Sequence, residues 1–136
     1  MIFVDTGAFI ARYLVKDSLH KRALEVWTQL AAERLFTSNH ILGETLTYIG
    51  RHASYLYAAE CGERIYGSDA LEIIYSDRED ETAALRLFRK FADRSVSFTD
   101  CVSFALMRKF GIDTAFTFDR HFLRAGFGVI GGSKTH

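Results

Sequence analysis

The sequence contains no proline. Pro-rich linkers and polyproline recognition segments are therefore excluded, and its 136 residues are left to regular elements joined by Gly, Ser and Asp turns. Cysteine is almost absent. Cys61 and Cys101 have no CxxC spacing and no histidine at zinc-like separation. Neither a disulfide framework nor a thiolate metal site is expected, and both read as buried free thiols of a reducing, cytoplasmic compartment. No apolar run approaches the roughly 20 residues of a membrane helix. The opening Met1-Ile2-Phe3-Val4-Asp5 lacks the basic start of a signal peptide. Net charge is missing as well: 17 basic side chains meet 17 acidic ones, so there is no global pull toward nucleic acid or an anionic membrane.

What is present is an ordinary globular composition, 49% apolar and 25% charged, in a chain long enough to bury its own core. One domain over residues 1–130 is expected, with 131–136 as a loose tail. The neutral total conceals an asymmetry. Residues 1–80 carry 8 basic and 12 acidic side chains, a formal −4, whereas residues 81–136 carry 9 and 5, a formal +4. Solvated helix faces would explain this, and so would acidic residues gathered at a site with basic ones around it.

Short apolar runs alternate with helical periodicities. Ile2-Phe3-Val4 reads as a strand buried on both faces, ended by an Asp5-Thr6-Gly7 turn. A helix over Ala8–Tyr13 follows, then one capped by Ser18 with a stripe of Leu24, Trp27, Leu30 and Ala31. Leu35–Thr37 is a strand. Ser38 or Asn39 then caps a helix with a stripe of Ile41, Thr45, Leu46 and Ile49, and 53–66 is a helix interrupted by Gly62. Leu71–Tyr75 is a strand, and Ser76 and Asp77 cap a helix with a stripe of Ala84, Leu87, Phe88 and Phe91. Asp100–Phe110 is a helix capped by Ser97 or Thr99, and Thr114–Phe118 and Phe127–Ile130 are strands. The alternation predicts an α/β domain, a central parallel sheet with helices on both faces. In such sheets ligands bind outside the carboxyl ends of the strands.

Attention therefore falls on the carboxylates at element ends: Asp5 after the first strand, Asp119 after the strand at 114–118, and Asp100 at the start of the intervening helix. Glu44 lies one turn into a helix, among apolar neighbours. Each has a structural alternative. Asp5 suits a turn or helix cap, Glu44 a solvated helix face, Asp100 a capping box with Ser97, and Asp119 a cap on the final helical turn. Together they favour one rim of the sheet, where converging carboxylates repel unless a cation neutralises them. Oxygen donors suit a hard ion, Mg²⁺ or Mn²⁺, able to activate water and stabilise a transferring phosphoryl group.

The segments Val4-Asp5-Thr6-Gly7-Ala8, Ile41-Leu42-Gly43-Glu44-Thr45-Leu46, Ser97-Phe98-Thr99-Asp100-Cys101-Val102-Ser103 and Phe116-Thr117-Phe118-Asp119-Arg120-His121-Phe122, in that order and spacing, resemble PIN domains, and most of all the VapC toxins of bacterial type II toxin–antitoxin pairs. The resemblance covers nearly the whole chain. It implies a three-layer α/β/α sandwich and a metal-dependent endoribonuclease. By analogy Asp5, Asp100 and Asp119 would hold Mg²⁺ or Mn²⁺, Glu44 would position or deprotonate the attacking water, and Thr6 and Ser103 would support the site. It further implies an RNA substrate, a cognate antitoxin and a homodimer, with no membrane.

Candidate RNA contacts are Arg12, Lys16, Arg120, His121 and Arg124, with Arg108 and Lys109 beside them, each against the alternative of a solvated face. Tyr48, Tyr55, Tyr57 and Tyr66 suit the core or a partner surface better than base stacking. A haloacid-dehalogenase-type phosphatase would need a carboxylate at position 7, which is Gly. A phosphoacceptor receiver domain would need an acidic pair before its phosphorylated Asp and a Lys after a late strand, and neither is evident. The Gly126-Phe127-Gly128-Val129-Ile130-Gly131 run has no following helix to hold a dinucleotide. A PIN-like module that binds RNA or a partner without cutting, or another Mg²⁺-dependent phosphohydrolase, stays as the alternative.

Overall fold

A computed structural model describes residues 1–132. The expected loose tail falls mostly on 133–136, outside the described residues. Five strands form one parallel sheet: β1 (Ile2–Val4), β2 (Leu35–Ser38), β3 (Leu71–Ile74), β4 (Thr114–Phe116) and β5 (Gly128–Ile130), in the order β3-β2-β1-β4-β5. Seven α-helices flank it: α1 (Thr6–Tyr13), α2 (His20–Gln29), α3 (Asn39–His52), α4 (Tyr55–Tyr66), α5 (Arg78–Lys90), α6 (Phe98–Phe110) and the single turn α7 (His121–Arg124). This is the α/β/α sandwich expected from the alternating pattern.

β1 and β2 are buried along their whole length, β1 as the continuous apolar run of an inner parallel strand and β2 with Thr37 and Ser38 buried beside Leu35 and Phe36. The core continues into aromatic contacts between elements. Trp27 packs edge-on against Phe116 at 5.3 Å, and Phe104 packs against Phe122 at 5.0 Å. Thr37 Oγ1 donates to the carbonyl of Val4 at 2.9 Å, a polar stitch between β2 and β1. Cys61 and Cys101 are buried and unpaired, as anticipated.

Several local expectations are corrected. No turn separates β1 from α1: the helix starts at Thr6 and only Asp5 lies between. Ser18 does not cap α2. The N-cap position is Leu19, whose N–H is held by Asp17 Oδ1 at 2.8 Å. The buried face of α2 is accordingly Ala23, Val26 and Leu30, while Leu24 and Ala31 are exposed. In α5 the buried positions are Asp80 and Ala84, and Phe88 is exposed, its edge against Phe98. Ser38, Ser54 and Ser97 each cap their helix through the side-chain oxygen. β4 ends at Phe116, although the Thr117 N–H still donates to the Ile130 carbonyl at 3.1 Å, and Asp119 lies three residues beyond the strand.

Candidate active site

The chain runs from β1 outward through β2 to β3, then crosses back to lay β4 against the other side of β1. The carboxyl ends of β1 and β4 thus flank the point where the strand order reverses, the crevice that open parallel sheets use for ligands. Asp5 follows β1 directly and Asp119 lies three residues beyond β4. Asp100 comes from the first turn of α6 and Glu44 from α3. All four line one cleft of about 410 Å³, with Thr6, Asp17, Tyr48, Ser97 and His121 among the other walls. Its walls carry five carboxylates and neither lysine nor arginine.

The structural alternatives for these acids resolve one by one. Asp5 occupies the N-cap position of α1, yet its side chain makes no capping bond. It is 5% exposed, and Oδ2 accepts a 2.7 Å hydrogen bond from the Thr117 hydroxyl. Thr117 Oγ1 accepts in turn from the backbone N–H of Asp119 at 3.0 Å, so one buried threonine joins the acids at both strand ends. At the start of α6, Ser97 Oγ accepts from the Asp100 N–H at 3.0 Å. The Asp100 carboxylate reaches across to the final turn, 3.6 Å from His121 Nδ1. Asp119 Oδ1 accepts from the His121 N–H at 2.8 Å and also lies 3.0 Å from His121 Nδ1, while the N-cap position of α7 falls to Arg120 and not to Asp119. Glu44 is exposed on the cleft wall.

Burial and crowding set the protonation of this group. Burial pushes the Asp5 carboxyl up to about 7, with Asp119 and Glu44 adding to the rise and the Thr117 hydroxyl opposing it. Burial likewise pushes Asp100 up to about 8, reinforced by Asp5, Asp119 and Glu44. Such a cleft repels a phosphodiester unless a cation intervenes. Two further atoms point the same way. Thr6 Oγ1 and His121 Nδ1 are shielded from water and lack a hydrogen-bond partner, an unfavourable state for a buried polar group unless a ligand satisfies it. One ligand atom from each of Asp100, Asp119 and His121 lies within 4.8 Å of the others.

The remaining candidates are dispersed. Ser103 is buried outside the cleft lining, and its hydroxyl donates back to the Thr99 carbonyl at 3.1 Å. Arg12 stacks over Trp27 at 4.5 Å in a separate groove. Arg108 donates to the carbonyl of Ala125 at 3.2 Å, and Lys109 reaches Asp80 at 3.0 Å. Lys16 lines a groove that shares Asp17 and Tyr48 with the cleft. Arg120 is exposed between Asp119 and His121, and Arg124 borders a small hollow that His121 also lines. Tyr57 is half-buried, its hydroxyl donating to the Tyr13 carbonyl at 2.6 Å, whereas Tyr55 and Tyr66 are exposed. Sequence reasoning missed Thr117 and Asp17. A hydroxyl inside the apolar run 114–118, two residues before a strand-end acid, was the signal for the first. Tyr48, for which the core or a partner surface was expected, is exposed and lines the cleft one helical turn after Glu44.

Residues 2–128 match the family model described as PIN domain. The chain is 36% identical to the 23S rRNA-specific endonuclease VapC20 of Mycobacterium tuberculosis over 127 residues, covering 93% of this chain and 95% of the relative. It is also 36% identical to a VapC ribonuclease of Archaeoglobus fulgidus over 104 residues, 74% of this chain and 65% of that one. The crystal structure of VapC20, described as a sarcin-ricin loop cleaving toxin, superposes with a TM-score of 0.87 at 33% identity, over 93% of this chain and 96% of that one. The Neisseria gonorrhoeae FitAcB structure shares the fold, with a TM-score of 0.68 at 18% identity over 96% of each chain. With its acids gathered where the strand order reverses, and with sequence and fold matched along nearly their whole length, this chain belongs to the PIN domain family.

Proposed function

We propose that this protein is a metal-dependent endoribonuclease of the VapC type that hydrolyses RNA phosphodiester bonds. The observation that carries this reading is the cleft in which Asp5, Glu44, Asp100 and Asp119 converge without a neutralising lysine or arginine. The donor set fits a hard divalent ion: carboxylate oxygens whose mutual repulsion is uncompensated, and a buried Thr6 hydroxyl with no partner. Asp5, Asp100 and Asp119 would hold Mg²⁺ or Mn²⁺. When bound, the ion supplies charge stabilisation at the transferring phosphoryl oxygen and a more acidic water.

The chain's own residues do the rest. Glu44, the exposed acid of the set, orients the attacking water and takes its proton. Thr6 donates toward a phosphate oxygen or a water at the site. Thr117 holds Asp5 through its hydroxyl and Asp119 through its backbone N–H, fixing their separation. Lys16 and Arg120 stand at the rim, where they meet phosphates on either side of the scissile bond. Ser103 braces the first turns of α6 from inside.

As a VapC-type protein it would act in the cytoplasm as the toxin of a pair, form a homodimer and be held inactive by a cognate antitoxin. The VapC names of its relatives support this. A short antitoxin gene beside its own would add to it. The decisive assay incubates purified protein with single-stranded RNA, structured RNA and 23S rRNA, and maps the cut ends. Cleavage with Mg²⁺ or Mn²⁺ that stops in EDTA is expected. Cleavage persisting in excess EDTA would refute the metal mechanism, and RNA binding without cutting would favour a binding module.

A further inference from the structure

The geometry points to His121 as a nitrogen ligand of the metal site, through Nδ1, so that this nuclease centre holds its ion with mixed oxygen and nitrogen donors and favours Mn²⁺ over Mg²⁺. The inference rests on the metal-dependent reading above and adds to it a residue whose sequence position suggested only phosphate contact. Three observations carry it. First, Nδ1 lies 3.0 Å from Asp119 Oδ1 and 3.6 Å from Asp100 Oδ2, and one donor from each residue falls within 4.8 Å of the others. Donors about 2.1 Å from an octahedral ion stand about 3.0 Å apart along an edge, so the spacing is that of neighbours in one coordination sphere. Second, Nδ1 is shielded from water and, despite the short distance to Asp119, is not aligned for a hydrogen bond. An imidazole nitrogen in that position has a lone pair to offer in the tautomer protonated at Nε2.

Third, the backbone of His121 is tied to Asp119. The His121 N–H donates to Asp119 Oδ1 at 2.8 Å, so the two residues form one compact turn that presents carboxylate and imidazole together. The other described histidines are occupied elsewhere: His20 Nδ1 with the Ala11 carbonyl at 2.7 Å, His40 with Glu81 at 3.3 Å, and His52 Nδ1 with the Tyr48 carbonyl at 2.9 Å. None of these three lines the cleft. A nitrogen donor matters for selection because Mg²⁺ takes oxygen donors and water almost exclusively, whereas imidazole suits transition ions.

The test uses Mn²⁺ alone, without RNA. Pulsed electron paramagnetic resonance of the full chain with substoichiometric Mn²⁺ should show nitrogen modulation from a directly bound imidazole. His121→Gln should abolish that modulation, weaken Mn²⁺ by about tenfold or more, and change Mg²⁺ affinity by less than about threefold. Circular dichroism confirms that the variant is folded. If it is not, uniform ¹⁵N labelling of histidine in the wild type, which must alter the modulation, decides instead. Bound Mn²⁺ with no nitrogen modulation, or modulation unchanged in His121→Gln, would overturn the inference and leave the carboxylate site standing. Mn²⁺ binding that survives Asp100→Asn would instead strike at the metal site itself.

Discussion

At Asp100, burial and three neighbouring carboxylates act in the same direction, lifting the carboxyl from its ordinary 3.8 to about 8. A folded-state value above the unfolded one means that the native protein binds the proton more tightly. This contribution to stability is full below about pH 4 and is lost as pH rises toward 8. Asp100→Asn keeps the shape and removes the charge. In metal-free buffer the variant should therefore match the wild type near pH 4 and exceed it above pH 8, as read from urea midpoints. Its RNA cleavage should nevertheless fall by more than about a hundredfold. A stability gap independent of pH would contradict the argument. Thr117 is a second residue-scale case. Thr117→Val preserves volume but leaves Asp5 Oδ2 and the Asp119 N–H without their shared hydroxyl. A loss of about 1–2 kcal/mol in denaturant titration is expected, with cleavage reduced about ten- to a hundredfold.

Between elements, α5 and α6 are fastened by Lys109, for which the sequence left open a phosphate contact or a solvated face. Asp77 and Asp80 complete a capping box at the start of α5, and Lys109 of α6 reaches Asp80 at 3.0 Å. Burial alone would raise the Asp80 carboxyl. The Asp77 N–H and Lys109 outweigh it and hold the carboxyl below its ordinary value. That stabilisation is present above about pH 4 and is lost as pH falls through the depressed value. Lys109→Met should lower the melting temperature at pH 7 and converge with the wild type in acid, while leaving RNA affinity nearly unchanged. A variant that loses RNA binding but not stability would return Lys109 to the substrate. Gly131 follows β5 at φ +110°, and a Cβ there would stand 2.9 Å from the Thr117 carbonyl oxygen. Gly131→Ala should cost about 1–3 kcal/mol and depress cleavage through Thr117, measurable as a lower kcat with little change in RNA affinity.

For the molecule as a whole, the neutral net charge is the sum of a locally negative cleft and dispersed positive groups. The −4 and +4 segments do not separate into site and surround, because the cleft draws Asp5 and Glu44 from the first and Asp100 and Asp119 from the second. Folding thus concentrates repulsion that a bound cation relieves, and metal and fold stabilise each other. Mn²⁺ at a hundred times its Kd should raise stability by about 2.7 kcal/mol, an increase that Asp100→Asn abolishes. Calorimetry with and without EDTA measures it, and equal melting temperatures in both buffers would contradict the linkage.

The local patterns were legible in the chain because they depend on near neighbours. The apolar run that becomes β1, the serine caps before residues 39 and 98, and the place of Asp5 directly after β1 follow from periodicity and capping chemistry. In α2 the expected Leu30 is buried and Trp27 packs on the core, whereas Leu24 and Ala31 face outward, and Phe88 is exposed with its edge against Phe98 on another helix. Only tertiary structure decided that Val4 pairs with Phe116, which brings the ends of β1 and β4 side by side. The Asp5–Thr117 bond spans 112 positions of sequence. No periodicity encodes such a contact, because it arises from the packing that sets β4 against β1. The same packing committed Lys109 and Arg108 to the protein itself and turned His121 toward the acids. The order of apolar runs and helical periodicities along the chain determined that it would fold as an α/β domain with acids after its strands; the order of the strands made those acids one site.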